Sequence, residues 1–158
     1  MKIGVVSDTH LVHPVPMLEE LMTGPFREAE LVLHAGDITE RMVLESFGGK
    51  EILAVCGNMD SPALRRQLPP KRTFHAGKFQ IGIIHGWGGP QGIEDRIRKE
   101  FDLLDCIVFG HTHTPSQARR EGVLFFNPGA FSVGLHSSPK SVGLIEVGET
   151  ISAQIIYL

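Results

Sequence analysis

The sequence predicts an α/β sandwich with β-sheets inside and helices outside. Three observations support this: short apolar runs alternate with amphipathic stretches, the chain becomes β-rich after residue 120, and no internal repeat or linker interrupts the pattern. Strand–helix alternation followed by strands is typical of sheets covered by helices. The chain has 158 residues, of which 42% are hydrophobic, enough for a core that needs no disulfides. We therefore expect one domain over residues 1–158.

Short apolar runs rich in Ile, Val and Phe predict the strands of the central sheets. These runs are residues 3–6, 31–33, 52–56, 79–84, 106–109 and 123–126. Near the C-terminus, residues 141–147 and 150–158 predict a hairpin that turns at Gly148-Glu149. Two basic pairs, at residues 71–72 and 119–120, are interpreted as solvated surface.

Four stretches between these runs predict helices. Residues 16–22, 40–47 and 93–101 carry apolar side chains at helical spacing. The fourth stretch, residues 61–68, opens with Ser61-Pro62, an N-cap residue followed by proline at the first helical position.

Charge and cysteine content argue against several classes of function. The net charge of −3 gives no support to a nucleic-acid partner, and no apolar run is long enough to cross a bilayer. The N-terminus lacks the layout of a signal peptide. Cys56 and Cys106 lie in apolar runs, which predicts buried, reduced thiols. We expect a cytoplasmic protein without nucleic-acid or membrane partners, and a homo-oligomer is compatible with the sequence.

Polar residues follow five of the apolar runs at the point where each run ends. In open α/β sheets, ligands bind at the carboxyl ends of the strands, and adjoining glycines let the backbone turn sharply there. Any one of these endings could be a turn or a helix cap, but five in one chain favour a shared site. The candidate metal ligands at these ends are Asp8, His10, Asp37, Asn58, His85, His111 and His113.

The chemistry of these seven side chains favours divalent cations. Residues i and i+2 of an extended segment point to the same side, so Asp8 and His10 could face one centre, as could His111 and His113. Two carboxylates, four imidazoles and an amide oxygen suit Mn²⁺, Zn²⁺ or Fe²⁺, and do not suit Ca²⁺ or a thiolate zinc site.

The same residues form an ordered set of motifs: Asp8-x-His10, Gly36-Asp37, Gly57-Asn58, His85-Gly86 and Gly110-His111-x-His113. This set resembles the motifs of the calcineurin-like metallophosphoesterases, from residue 3 to about residue 134. The short length and the later Asn127-Pro128-Gly129 resemble the small prokaryotic phosphodiesterase branch, to which a retromer subunit of the same fold also belongs. The resemblance implies an αββα sandwich of two mixed β-sheets flanked by helices.

The resemblance also implies a two-metal site that hydrolyses a small phosphodiester. One metal would be held by Asp8, His10 and His113, the other by Asn58, His85 and His111, and Asp37 would bridge them. The catalytic residues would be Asp37, Asn58, His85 and His111. A bridging water or hydroxide would be the nucleophile, and the net positive charge of such a centre would attract the anionic ester. Mn²⁺ is the expected metal, with Zn²⁺, Fe²⁺ and Ni²⁺ as alternatives.

Two positions depart from the family pattern. Many relatives have a histidine after the metal-binding asparagine that serves as general acid, whereas this chain has Met59. Many small relatives have a serine after Asn-Pro-Gly and then an arginine, whereas here Ala130 follows Gly129 and His136 is the nearest replacement for the arginine. Two other functions stay open: a phosphomonoesterase, because the positively charged site would accept either anion, and a non-enzymatic scaffold like the retromer subunit.

Three further residues have a structural and a functional interpretation. For His34 we favour a strand-end histidine bonded to backbone over a residue that supports the ligands. For Trp87 we favour packing between a loop and a helix over stacking on a base or capping the pocket. Asp60 could orient Asn58 or cap the helix that starts near Ser61, and the sequence leaves both open.

Overall fold

A computed structural model describes residues 1–132 and 139–158. Within this part of the chain, ten strands and four short helices follow one another. In chain order they are β1 (Lys2–Val6), α1 (Pro16–Thr23), β2 (Leu31–His34), α2 (Arg41–Glu45), β3 (Glu51–Ala54), α3 (Pro62–Gln67), β4 (Lys71–Ala76), β5 (Phe79–Ile84), α4 (Ile93–Arg98), β6 (Cys106–Val108), β7 (Ser116–Arg120), β8 (Val123–Asn127), β9 (Ser141–Val147) and β10 (Ile151–Tyr157).

The strands form two mixed sheets of five strands each. The first sheet has the order β10-β9-β1-β2-β3, in which β1, β2 and β3 are parallel and β9 and β10 form an antiparallel hairpin beside β1. The second sheet has the order β4-β5-β6-β8-β7, in which β5, β6 and β8 are parallel and both edge strands are antiparallel. In each sheet the parallel strands lie side by side, so their carboxyl ends share one edge.

The alternation of side chains along each strand builds three apolar layers. Val5 belongs to the cluster that the two sheets bury between them, together with Val108 and Phe126 of the second sheet. Its neighbour Val6 belongs instead to the cluster formed with α1, α2 and α3. Helix α4 covers the outer face of the second sheet, where Ile97 belongs to a third cluster. The expected αββα sandwich is confirmed.

The helices begin where the sequence signals predict, but two of them end early. Helix α1 begins at Pro16, and α3 begins after Ser61, whose Oγ accepts a hydrogen bond from the Leu64 N–H at 3.3 Å. Helix α2 ends at Glu45, and the hydroxyl of Ser46 donates to the Val43 carbonyl at 2.6 Å. Helix α4 ends at Arg98, although the apolar spacing continues to Phe101.

Two strands were not predicted, and both lie at the edges of the second sheet. Among the strands of the described residues, β4 pairs only with β5, and β7 pairs only with β8. Edge strands carry polar and charged residues that discourage further pairing, so neither contains a continuous apolar run. The basic pairs at residues 71–72 and 119–120 lie in these two edge strands.

Both cysteines are free thiols, Cys106 buried and Cys56 partly exposed. Among the described residues, the helices lack the length and hydrophobicity that a bilayer crossing requires.

Candidate metal centre

The loops that follow the parallel strands of both sheets meet at one edge of the sandwich. The N–H of Asp8 donates to the Gly36 carbonyl at 3.1 Å, which ties the loop after β1 to the loop after β2. The N–H of Gly110 donates to the His85 carbonyl at 3.1 Å, which ties the loop after β6 to the loop after β5. All seven predicted ligands lie in these loops or in the loop after β3.

Five of the seven predicted ligands have left-handed backbone conformations. Their φ angles are 53° for Asp8, 47° for His10, 54° for Asp37, 69° for His111 and 57° for His113. In the described part of the chain, only two other non-glycine residues have positive φ. Such conformations are costly and concentrate at functional sites. The extended backbone that we assumed for the two i, i+2 pairs is therefore wrong, although both pairs face the same centre.

The first half of the centre is a cluster of four ligand atoms. His113 Nε2 lies 3.2 Å from Asp8 Oδ1 and 3.1 Å from His10 Nε2. His10 Nε2 lies 3.8 Å from Asp37 Oδ2. One ligand atom from each of these four residues falls within 4.8 Å of all the others. This spacing leaves room for one cation among two carboxylates and two imidazoles.

The second half shares the Asp37 carboxylate with the first. His85 Nε2 lies 3.3 Å from Asp37 Oδ2 and 3.2 Å from Asn58 Oδ1. His111 Nδ1 lies 3.1 Å from the same Asn58 oxygen. Asp37 Oδ2 therefore lies between the two halves. Asn58 is exposed, so this half is the more open to solvent.

Hydrogen bonds to neighbouring groups orient the histidines of the second half. His85 Nδ1 lies 2.8 Å from the Ala35 carbonyl, and His111 Nε2 lies 3.0 Å from the Gly88 carbonyl. A carbonyl can only accept, so each of these nitrogens must carry the proton. The other nitrogen of each ring then has a free lone pair for a metal, which is the usual arrangement at metal sites.

The two carboxylates are oriented in the same way. Asp8 Oδ2 accepts hydrogen bonds from the Ser7 hydroxyl at 2.6 Å and from the His111 N–H at 3.1 Å. Asp8 Oδ1 is buried and has no hydrogen-bond partner among the described residues. Asp37 Oδ1 accepts from the Met59 N–H at 2.7 Å, which leaves Oδ2 directed at the centre. A buried carboxylate oxygen without a donor is costly, and a cation would satisfy it.

The electrostatics of the centre also favour a cation. Burial alone would lower the pKa of His85, but the carboxylates of Asp37 and Asp8 outweigh it and the pKa is raised. Contact with Asp8 raises the pKa of His113 against a smaller effect of burial. Burial would raise the pKa of Asp37, but His85 and the Met59 N–H hold it below its ordinary value. The site therefore attracts positive charge, and metal ions would compete with protons for it. The donor set fits divalent metals.

Asp60 connects the loops that carry Asp37 and Asn58. It is buried, and its two carboxylate oxygens accept from the N–H groups of Thr39 and Gly57, each at 2.7 Å. Helix α3 is capped by Ser61 instead. The capping role is therefore wrong. Asp60 holds the backbone of Gly57, the residue before Asn58, so orientation of Asn58 stays the remaining interpretation. The loop of Asn58 also approaches the loop of Asp37 closely at Gly57, because a Cβ on this residue would lie 2.4 Å from the Asp37 backbone nitrogen.

His34 lies beneath the centre and is fully buried. Its Nε2 lies 3.2 Å from Thr9 Oγ1, whose hydroxyl faces the Asp37 and Ile38 carbonyls at 3.4 and 3.3 Å. Its Nδ1 has no partner among the described residues. The favoured interpretation, a histidine bonded to backbone, is wrong. His34 instead supports the two ligand loops through Thr9, and burial lowers its pKa to about 3.

The Asn127-Pro128-Gly129 motif also supports a ligand loop. Asn127 Nδ2 donates to the Gly110 carbonyl at 2.9 Å and to Thr112 Oγ1 at 3.0 Å, and its Oδ1 accepts from the Gly129 N–H. This side chain is fully buried, so it holds the loop of His111. His136, the suggested replacement for the missing arginine, lies outside the described residues.

Comparison with known proteins found a family match and several similar proteins. The calcineurin-like phosphoesterase superfamily domain matches residues 1–150. A probable metallophosphoesterase of Methanothermobacter thermautotrophicus is 36% identical over 99% of this chain and 92% of its own. The phosphodiesterase YfcE of Escherichia coli is 28% identical over 61% of this chain and 53% of its own.

Two solved structures share the fold. An archaeal phosphodiesterase superposes with a TM-score of 0.82 over the full length of both chains, at 24% identity. Vps29 of Entamoeba histolytica, solved with Zn²⁺, superposes with a TM-score of 0.75 over 99% of both chains, at 21% identity. At these identities the likeness concerns the fold alone.

Proposed function

Because the chain belongs to the calcineurin-like phosphoesterase superfamily, we propose that it hydrolyses small phosphodiesters at a two-metal centre. The observation that carries the proposal is the position of Asp37 Oδ2, which lies 3.3 Å from His85 Nε2 in one half of the centre and 3.8 Å from His10 Nε2 in the other. One carboxylate oxygen within reach of both halves is what a bridging ligand requires.

The proposed ligand sets follow the two halves. One ion is held by Asp8, His10 and His113, the other by Asn58, His85 and His111, and Asp37 serves both. Mn²⁺ is the expected metal, with Zn²⁺, Fe²⁺ or Ni²⁺ as alternatives. When bound, two such ions would lower the pKa of water and stabilise the charge that develops on the phosphate oxygens.

The residues of the chain prepare the centre before the ester arrives. Ser7 and the His111 N–H hold Asp8, the Met59 N–H holds Asp37, and backbone carbonyls fix the rings of His85 and His111. Such preorganisation avoids rearrangement during the reaction, which is where electrostatic catalysis gains most. The more exposed Asn58 side of the centre is the side on which an anionic ester would approach.

Proton donation to the leaving group is the weak part of this arrangement. The side chain of Met59 is 59% exposed at the rim but carries no proton to donate. His34 is fully buried, so it cannot reach a leaving oxygen. We therefore propose that esters of acidic alcohols, such as nitrophenyl diesters, are the better substrates because their leaving groups need no proton.

A scaffolding role is less favoured, because all seven ligand side chains are present and several are oriented toward the centre. A phosphomonoesterase would use the same centre, and the choice between ester classes needs a direct assay. The predicted cytoplasmic location and the expected lack of nucleic-acid and membrane partners stay predictions.

The test is hydrolysis by protein that has been stripped of metal and reloaded with Mn²⁺. Bis(nitrophenyl) phosphate and nitrophenyl phosphate are compared at equal concentration, with and without chelator. We expect metal-dependent turnover that is faster on the diester. Asp37→Asn should lose this activity, whereas Asp102→Asn, which changes an exposed aspartate outside the centre, should keep it. Faster turnover of the monoester would favour the phosphomonoesterase, and no turnover of either ester would overturn the proposal.

A further inference from the structure

A cavity of about 340 Å³ adjoins the second half of the metal centre. Its lining residues include Asn58 and His85, two of the proposed ligands, together with Cys56, Lys71 and Trp87. The volume falls within the range of sites for small organic molecules. An ester whose phosphate lies at the ligands could therefore extend its organic group into this cavity without rearrangement of the chain.

The loop that carries Trp87 is fixed through its backbone, which leaves the indole free. The Arg96 guanidinium donates to the Trp87 carbonyl at 3.1 Å, and the next carbonyl, that of Gly88, contacts the ring of His111 at 3.0 Å. Arg96 of α4 thus holds the loop backbone, but Trp87 itself is 43% exposed, which the favoured interpretation, a side chain packed between a loop and a helix, did not predict. Aromatic side chains usually bury most of their large surface, so a half-exposed indole beside a reactive centre is available for a ligand.

The charges around the cavity favour an uncharged occupant. Among its described lining residues, the one cation is Lys71, whose Nζ lies 3.0 Å from the Glu100 carboxylate and 2.5 Å from the Glu100 carbonyl. Since Lys71 is already paired, the described lining of the cavity offers no free cation to a second phosphate, whereas a flat ring could stack on the indole of Trp87.

We infer that this cavity binds the planar aromatic group of an organic phosphoester, stacked on Trp87 while the phosphate lies at Asn58 and His85. The inference rests on the proposed function and adds the substrate class. The ring can come from an aryl ester or from a nucleotide, since both present the same flat surface to the indole.

Binding of small anions with and without a ring tests this directly, because Trp87 is the single tryptophan of the sequence. Protein loaded with Zn²⁺ is titrated with phenylphosphonate against methylphosphonate, and with AMP against ribose phosphate, by calorimetry and by tryptophan fluorescence. We expect the ring to tighten binding in at least one pair by about 5- to 150-fold, the range of base–aromatic stacking. Only the ring-bearing ligand should change the emission. A gain with phenylphosphonate identifies an aryl ester and a gain with AMP a nucleotide.

Substitution separates stacking from general effects on the site. Trp87→Ala should remove the advantage of the ring and leave the affinity for methylphosphonate unchanged, and Trp87→Phe should keep part of the advantage. Leu103→Ala, which changes an exposed apolar residue outside the cavity, should behave like the unaltered protein. Equal affinities within both pairs, or a ring advantage that survives Trp87→Ala, would overturn the inference.

The outcome is independent of turnover. Protein that hydrolyses bis(nitrophenyl) phosphate but does not distinguish ring-bearing ligands keeps the proposed function and loses the aromatic subsite. Protein that binds rings through Trp87 but hydrolyses no ester keeps the subsite and loses the proposed function.

Discussion

Protonation of His34 should destabilise the fold as the pH falls. Burial holds the pKa of this side chain at about 3, against an ordinary value of 6.5. Above that ordinary value neither the folded nor the unfolded chain binds the proton. Below it the unfolded chain becomes protonated while the folded chain does not, so the free energy of unfolding falls by about 1.4 kcal/mol per pH unit. Two pH units below the ordinary pKa, the free energy of unfolding has fallen by about 3 kcal/mol. This loss stops growing once the pH reaches the pKa of His34 in the folded protein.

The assay is urea unfolding of metal-free protein at a series of pH values, followed by circular dichroism. His34→Gln can still donate to Thr9 but cannot titrate, so the difference between the two proteins isolates the histidine. This difference should be flat above the ordinary histidine pKa and should fall with the stated slope below it. The comparison also removes the contributions of His85 and His113, which both proteins share. Their raised pKa values make the free energy of unfolding rise as the pH falls. His75→Gln, at an exposed position in β4, should leave the pH dependence unchanged. A difference that stays flat across the acid range would refute the assignment of His34 as a buried neutral base.

Three further predictions concern the centre itself. Asp37→Asn should reduce kcat/KM more than Asn58→Ala, because Asp37 serves both halves of the centre. The double variant should lose less activity than the product of the two single effects. Equal losses of kcat/KM in the two single variants would contradict the bridging role. In the unaltered protein, rates should depend steeply on the pKa of the leaving group. Met59→His should flatten that dependence by up to the 10²–10⁴-fold that a general acid typically contributes, and a flat dependence before substitution would show that another group already donates the proton. Gly110→Ala would place a Cβ 1.9 Å from Ser7 Oγ, so it should displace the hydroxyl that holds Asp8. Metal titrations should then show a weaker affinity. Unchanged affinity would show that the hydrogen bond from Ser7 to Asp8 is dispensable.

The convergence of the seven candidate ligands on one edge of the sandwich could be predicted from the sequence, because parallel strands bring their carboxyl ends to one edge. An apolar run followed by Asp, Asn or His is visible without any knowledge of pairing. The left-handed backbone of residues such as Asp8 and Asp37 could not be predicted in this way. It depends on hydrogen bonds between loops, such as the one from the Asp8 N–H to the Gly36 carbonyl, and these exist only once the strands are aligned.

The residues that support the ligands were harder to identify for the same reason. Asp60 follows Asn58 closely in sequence, yet its partner Thr39 lies on another loop. His34 reads as an ordinary strand end, and only the contact with Thr9 gives it a role. Strands β4 and β7 were missed because edge strands need no continuous apolar run. The exposure of Trp87 depends on the hydrogen bond from Arg96 to the Trp87 carbonyl. The local sequence pattern does not predict this bond.

The number and positions of bound metal ions test the two-metal account most directly. Protein reloaded with Mn²⁺ is analysed for metal content, and its crystals are examined by anomalous diffraction. The account predicts two ions per chain about 3.5–4 Å apart, on either side of Asp37 Oδ2. One of them should contact Asp8, His10 and His113, and the other Asn58, His85 and His111. A single ion at the first set, with the second set uncoordinated at saturating metal, would contradict it.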